Sequence, residues 1–451
     1  MNIITDLQWM HAEFIEAAGF FYGAEDLQVE HKHIQDGDEL RDTVKIGDKE
    51  YTYSKKVVWG DDLENKRLIK RYAKLALYKS LSDYLGQKLV WGALTGIRPV
   101  KYAYSLGENW RQKMSEEMMV DDNKIDIIDR IMQEQKPFYE RKEGNCDLFV
   151  SIPFCPSRCL YCSFLSNEIG KEKQLEGYID CLVKEIESAK PLIKNLRSVY
   201  VGGGTPVSLP LPMLERVLKA IGKVDCEYTV EAGRPDCIER ETLQLLKDYG
   251  VSRICLNPQT FNDETLKLIG RRHTAKDILD KYELAKEFGF SVNMDLIAGL
   301  TGESFEDFKR SVDTAISLSP DNITVHTLSL KRGSKLKEST KKLPEGEIAK
   351  MIDYSVYKLI NSGFNPYYLY RQKYMAGNLE NTGYTKSGKA CLYNVDVMEE
   401  ITDNLACGAN AVTKKLILDE DRIERYGAPK DIATYISKID KIIEEKNKFF
   451  L

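Results

Sequence analysis

The chain has 451 residues, enough for two or three domains with sizeable cores, and at 43% apolar and 30% charged it has the composition of a soluble globular protein. A formal charge of −5 argues against a general polyanion binder, so no nucleic-acid partner is expected. No run of about 18 apolar residues occurs, so no membrane span is expected, and Met1-Asn2-Ile3-Ile4-Thr5-Asp6 lacks the basic region and apolar core of a signal peptide, which points to a cytoplasmic location.

Residues 1–145 read as an N-terminal α+β accessory module. Thr43-Val44-Lys45-Ile46 and Glu50-Tyr51-Thr52-Tyr53 flank Gly47-Asp48, the pattern of a β-hairpin with a tight turn. Ile69, Tyr72, Ala73, Ala76, Leu77, Leu81 and Tyr84 then recur at helical spacing, opposite Lys66, Arg67, Lys70 and Lys74. That basic face reads as solvated, with an anion contact as the sharper alternative. Leu94-Thr95-Gly96-Ile97-Arg98-Pro99 breaks the helical pattern, and the charged, turn-like Glu140-Arg141-Lys142-Glu143-Gly144-Asn145 marks a boundary.

From 146 the texture changes to short apolar runs alternating with amphipathic segments. Strands are expected at 147–152, 197–202, 226–232, 252–257, 290–297 and 321–328, with helices near 171–190, 210–222, 238–249, 275–288 and 304–318. Six strands with helical crossovers predict a parallel sheet, and their number fits a partial (β/α)6 barrel over 146–333 rather than a full eight-fold one. After 333 the alternation stops. Leu343 to Ser362 reads as a helix, Asn365 to Tyr370 as an aromatic strand or loop, and 377–391 as a polar stretch before a final helical region. This C-terminal α+β extension, 334–451, is expected over the open side or mouth of the barrel.

Ten cysteines are too sparse in a chain this long for a disulfide scaffold. Cys146, Cys181, Cys226, Cys237, Cys255, Cys391 and Cys407 stand alone and read mostly as small buried hydrophobes. The other three share eight residues, Cys155-Pro156-Ser157-Arg158-Cys159-Leu160-Tyr161-Cys162, directly after the apolar run Leu148-Phe149-Val150-Ser151-Ile152. Three thiolates on a loop at the C-terminal end of a strand can hold a metal or an iron–sulfur cluster, one ligand short of a closed four-coordinate site. Zinc would need a fourth ligand, such as His273 or His326, and usually takes paired Cys-x-x-Cys units. Further on, Tyr200-Val201-Gly202-Gly203-Gly204-Thr205-Pro206 ends the second strand in a turn whose glycines let backbone approach a ligand. Glu231, Gln259, Arg271 and Asp295 then close successive strands or their loops. Singly each reads as a capping or salt-bridge residue; converging on one barrel face they read as a polar ligand site.

Cys-x3-Cys-x2-Cys after the first barrel strand resembles the signature of the radical S-adenosylmethionine (SAM) enzymes. The resemblance implies that Cys155, Cys159 and Cys162 bind three irons of a [4Fe–4S] cluster, and that SAM chelates the fourth. One electron then cleaves the sulfonium to a 5′-deoxyadenosyl radical that abstracts a substrate hydrogen. Tyr161 is similar to the family's aromatic neighbour of the adenine. Gly203, Gly204 and Thr205 are similar to its motif for the SAM amino group.

Residues 147–330 resemble the oxygen-independent coproporphyrinogen III oxidase group, with its haem-chaperone and HemZ branches. Glu231 is similar to that group's ribose-binding glutamate, and Gln259, Arg271 and Asp295 match residues that contact a second SAM in the oxidase. Tyr370-Arg371-Gln372-Lys373-Tyr374-Met375-Ala376-Gly377-Asn378-Leu379-Glu380-Asn381, with the segment from Leu94 to Pro99, looks most like the HemZ branch.

Three positions depart from the oxidase: Phe164 stands where it has a further cysteine, Phe149 where it has a tyrosine and Ser151 where it has a histidine. The resemblance implies oxidative decarboxylation of coproporphyrinogen III to protoporphyrinogen IX, fed by a low-potential donor such as flavodoxin or ferredoxin. Arg158, Arg234 and Arg271 are then the candidates to hold propionates. The alternatives are a haem-binding chaperone and a different radical reaction on the haem ring.

Overall fold

The structure is a computed structural model that describes residues 1–162, 167–170, 172–329, 345–372, 375 and 378–450. Phe164, Leu343 and Pro344, and Lys373, Tyr374, Ala376 and Gly377 of the HemZ-like run, lie outside the described residues. The chain divides into two compact units, Met1–Asp129 with Gly377–Leu379, and Arg130–Ala376 with Glu380–Leu451. Among the described residues no helix is long and apolar enough to cross a membrane.

In the first unit β1 (Asn2–Thr5) pairs in parallel with β2 (Gln28–Asp36), and β3 (Glu39–Ile46) and β4 (Lys49–Lys56) continue the sheet antiparallel. Ile46 opposes Lys49, which makes Gly47-Asp48 the two-residue turn that its composition predicts, with Gly47 at φ +57°. Helix Asp62–Leu85 starts on Asp61, whose carboxylate accepts from the amides of Leu63 and Glu64, and stops at left-handed Gly86. Ala73, Ala76, Leu77 and Leu81 are buried against Val29, Val44 and Ile46. On the basic face opposite, Lys66 and Arg67 are exposed and Lys70 pairs with Glu13 at 2.5 Å, whereas Lys74 is largely buried, donates to Thr95 Oγ1 at 2.6 Å and has its pKa lowered to about 8 by that burial.

The second unit carries all six expected barrel strands: β5 (Asn145–Ile152), β8 (Asn195–Gly203), β9 (Glu227–Glu231), β10 (Arg253–Cys255), β11 (Ser291–Ala298) and β12 (Asn322–Thr327). Two short strands, β6 (Phe154–Cys155) and β7 (Asn167–Glu168), pair with each other beside them. The crossover helices are Glu172–Ala189, Leu211–Ile221, Arg240–Asp248, Ala275–Glu287 and Phe305–Leu318. Their apolar faces cover strands that are themselves buried on both sides, as a parallel sheet requires.

The C-terminal α+β segment joins the barrel sheet itself. It supplies β13 (Asn365–Tyr370), β14 (Asn381–Thr385), β15 (Asp403–Cys407), β16 (Val412–Ile417) and β17 (Arg422–Gly427), which extend both edges of the same sheet. The strand order is β13-β14-β12-β11-β10-β9-β8-β5-β15-β16-β17. β15 runs parallel to β5, a seventh parallel strand, whereas β14 runs antiparallel to β12. Among the described residues the edge strands β13 and β17 do not pair, so the barrel stays open.

Candidate active site

β5 alternates buried Leu148, Val150 and Ile152, then releases the chain into the cysteine loop at the C-terminal edge of the sheet. Three neighbouring loops fasten this loop. After β8, the Thr205 amide donates to Phe154 O at 2.7 Å, and Thr205 Oγ1 lies 3.4 Å from Cys155 Sγ. After β9, Arg234 donates through Nη1 to Ser157 O at 3.1 Å and Oγ at 2.7 Å. After β10, the Leu160 amide donates to Ile269 O at 3.0 Å, and Arg271 Nη2 donates to the Tyr161 hydroxyl at 2.8 Å. Within the loop, Cys162 N closes a turn on Cys159 O at 3.1 Å.

None of the ten cysteines is in a disulfide. Cys155 and Cys162 are half-buried, and the charges of Arg234 and Arg271 both act on the Cys159 position. Of the seven solitary cysteines, Cys146, Cys255, Cys391 and Cys407 are buried, while Cys181, Cys226 and Cys237 are partly exposed. Among the described residues no three His, Cys, Asp or Glu groups are already arranged around a metal position.

The glycines serve the fold more directly than the sequence suggests. A Cβ on Gly204 would stand 2.4 Å from Phe154 O and 2.9 Å from Ile152 O, and one on Gly202 would stand 2.9 Å from Glu231 Cδ. Gly203 has φ +103°. The triplet therefore lets the cysteine loop and Glu231 press onto the end of β8. Glu231 accepts from Tyr200 Oη at 2.8 Å. Burial pushes its carboxyl up to about 7, with the Asp295 charge adding to the rise and the Tyr200 bond opposing it.

Gln259 has φ +69°, a conformation costly for a residue with a Cβ. Its amide donates to Asp295 O at 2.8 Å, and Ile297 N donates to its carbonyl at 3.0 Å, so β11 holds the strained residue in place. Its side-chain Oε1 and Asn257 Oδ1 are buried with no hydrogen-bond partner among the described residues. Asp295 Oδ1 accepts from Asn293 Nδ2 at 2.9 Å, and Oδ2 faces His326 Nε2 at 3.5 Å.

The structure thus joins Cys155 to Thr205, Tyr161 to Arg271, Gly202 to Glu231, and the backbones of Gln259 and Asp295. It does not leave Arg234 open for a propionate. That guanidinium, 3% exposed, grips Asp236 in bidentate fashion at 3.0 and 2.6 Å and spends Nη1 on Ser157. Burial works against the Asp236 charge, but His273 and Arg234 outweigh it and hold this carboxyl well below the usual range. His273 is buried at 3.6 Å from Asp236, and His326 stands between Asp295 and Tyr370.

Two departures from the oxidase pattern are absorbed by the C-terminal segment. Phe149 and Tyr200 both stack with Tyr393, at 6.1 and 4.4 Å, and Ser151 Oγ donates to Ala409 O at 2.9 Å. The Gly408–Ala411 turn at the end of β15 was not legible as part of the site. Its only signal is Gly408, at φ +105°, where a Cβ would meet Ser151 O at 2.6 Å.

A family model described as the radical SAM superfamily matches residues 149–315. The oxygen-independent coproporphyrinogen-III oxidase-like protein HemZ of Bacillus subtilis is 34% identical over 393 residues, 82% of this chain and 78% of that protein. The chain belongs to this radical SAM family. The heme chaperone HemW of the same organism is 36% identical over 190 residues, 40% of this chain and 49% of that protein. The solved coproporphyrinogen III oxidase HemN of Escherichia coli, described as a radical SAM enzyme, shares the fold with a TM-score of 0.53 at 23% identity, covering 69% of this chain and 72% of that one. The protein is therefore a radical SAM member of the tetrapyrrole-related HemN, HemZ and HemW group, and its cofactors are a [4Fe–4S] cluster and SAM.

Proposed function

We propose that the protein carries out radical SAM chemistry on a tetrapyrrole, by oxidative decarboxylation of coproporphyrinogen III to protoporphyrinogen IX. The residues fit the cofactors. Three thiols on one loop, beside two guanidiniums and one ligand short of a closed set, suit an anionic cluster with an open iron. The buried acceptor Gln259 Oε1, without a donor among the described residues, and the Glu231 carboxylate suit the amino and hydroxyl groups of SAM. On this reading Cys155, Cys159 and Cys162 hold the cluster, Gly203, Gly204 and Thr205 flank the SAM amino group, Tyr161 borders the adenine and Glu231 takes the ribose. Gln259, Arg271 and Asp295 stand where the oxidase group contacts a second SAM. Held by Cys155, Cys159 and Cys162, a reduced cluster would supply the one-electron chemistry that turns bound SAM into a hydrogen abstractor.

The chain's own residues orient and shield. Arg234 and Arg271 fix the cysteine loop, and Tyr200, stacked with Phe149 and Tyr393, orients the Glu231 carboxyl through its hydroxyl. Loss of CO2, with one electron passed from the substrate radical to an external one-electron acceptor, would then leave a vinyl group, while a one-electron carrier of the flavodoxin or ferredoxin class would reduce the cluster. The observation that carries this reading is the cysteine loop locked to the glycine and arginine loops, in a chain similar to HemZ over most of its length.

Similarity to heme chaperones supports a second reading, in which the protein binds haem and passes it on. Anaerobic reconstitution followed by SAM cleavage assays separates the two. The enzyme forms 5′-deoxyadenosine in step with protoporphyrinogen IX when coproporphyrinogen III is added. Tight haem binding and transfer with little SAM cleavage would instead establish the chaperone, and a product of another mass would establish a different ring reaction.

A further inference from the structure

The tetrapyrrole reading needs groups that hold carboxylates, and two of the three arginines expected to do so, Arg234 and Arg271, are committed elsewhere. Arg234 is spent on Asp236 and Ser157, and Arg271 on Gly233 O at 3.1 Å and the Tyr161 hydroxyl. A different donor set stands on the opposite wall of the mouth. Parallel register puts Thr324 of β12 beside Asp295 of β11, and His326 follows two residues nearer the C-terminal end on the same face. Tyr368 and Tyr370 of β13 repeat that spacing. The Tyr368 hydroxyl lies 3.2 Å from Thr324 Oγ1, and the Tyr370 hydroxyl 3.3 Å from His326 Nδ1. β14 lies between the two strands, and the Tyr368 ring crosses it at Gly383, where a Cβ would stand 1.9 Å from the ring. The C-terminal hairpin is thus built to deliver tyrosines onto the β12 face of the lumen.

Asp295, His326 and Tyr370 form one chain. A carboxylate only accepts, so the His326 nitrogen facing Asp295 carries hydrogen, and Nδ1 is left to accept from Tyr370. We propose that Tyr370 is the hydrogen-bond donor for a carboxylate of the substrate, and that His326 takes up one proton from solvent as that carboxylate binds. With Nδ1 protonated, the histidine donates to the phenol oxygen, and the Tyr370 hydrogen turns outward to the anion. Asp295 balances the imidazolium on its far side and positions the ring; no other bond is made or broken.

Burial, with the Asp295 charge behind it, outweighs the opposing hydrogen bond with the Gln372 side chain and keeps the Tyr370 phenol protonated and able to donate. The described groups facing His326 are Asp295 from β11, Tyr368 and Tyr370 from β13 and, through Asp295, Glu231 from β9. Thr382 and Asn381 on β14 carry no charge.

The identity of the anion as a propionate rests on the tetrapyrrole reading, so the test separates the two. Binding of coproporphyrin III and of its uncharged tetramethyl ester to the full-length, anaerobically reconstituted protein is measured between pH 6 and 8.5. The acid binds more tightly at low pH and the ester without pH dependence. Tyr370→Phe weakens the acid about tenfold to a hundredfold and leaves the ester unchanged, the range for one hydrogen bond to a charged group. His326→Gln flattens the pH profile, which a purely structural role would not do. Wild-type affinity for the acid in Tyr370→Phe, or equal binding of acid and ester by the wild type, overturns the proposal. If the acid is discriminated but coproporphyrinogen III is never turned over, the decarboxylase reading falls and the carboxylate site stands.

Discussion

Replacing Gly204 with alanine tests whether the glycine triplet serves the cysteine loop. The added methyl would meet Phe154 O at 2.4 Å, Phe154 N at 2.8 Å and Ile152 O at 2.9 Å, all backbone, so no side chain can swing aside. Overpacking of this kind costs about 1–3 kcal/mol. The strand that must retreat also carries the acceptors for Gly204 N at 2.9 Å and Thr205 N at 2.7 Å, each bond contributing about 1 kcal/mol. Together these give about 3–5 kcal/mol, a fall in melting temperature of roughly 5–10 °C for a unit of this size. The displacement falls on Phe154–Cys155, so the variant, folded at low temperature, should also bind less iron and sulfide on reconstitution. Differential scanning fluorimetry of the apoprotein gives the first quantity, and iron and sulfide analysis gives the second. A Gly204→Ala protein with the wild-type melting temperature and a full cluster would refute the reasoning.

Arg234→Ala should cost about 3 kcal/mol, the low end for a broken buried ion pair because Asp236 is 22% exposed, and should lower cluster content while leaving coproporphyrin affinity nearly unchanged. Urea titration and iron analysis check both halves. Glu231, raised from 4.5 to about 7 by burial, contributes stability that is present below its unfolded value and lost as pH climbs through about 7. Apoprotein stability should therefore fall by up to about 3 kcal/mol between pH 5 and 8, and Glu231→Gln should flatten that decline in denaturation curves. Lys446→Met leaves the buried Glu185 with Tyr435 and the Gly408 amide but no cation, at a cost of about 3–5 kcal/mol. Limited proteolysis near the Gly408–Ala411 turn should report that loss; an unchanged digestion pattern and urea midpoint would contradict it.

The six barrel strands were legible because each is a short apolar run followed by a helix with one apolar face, and both periods survive in the sequence. The cysteine spacing was legible for another reason: ligands on one loop need no tertiary structure to be neighbours. The C-terminal strands after β13 were not. β14 contains Gly383, which weakens any strand signal and is there because the Tyr368 ring crosses it. β16 and β17 lie at an edge and carry alternating charged residues that read equally well as a solvated helix face. Arg234 was misjudged because its partners, Ser157 and Asp236, belong to different loops, and one is 77 positions away.

Local pattern by itself determined which residue types can bind iron and sulfur, where the chain alternates between strand and helix, and which loops follow which strands. Folding alone decided which side chains are already occupied: it committed Arg234 to a clamp and turned the glycines toward the cysteine loop. It also carried a tyrosine from a distant hairpin to within 3.3 Å of His326. Spacing along a chain records periodicity, whereas a hydrogen bond between remote residues depends on strand order and register, which short-range sequence does not encode.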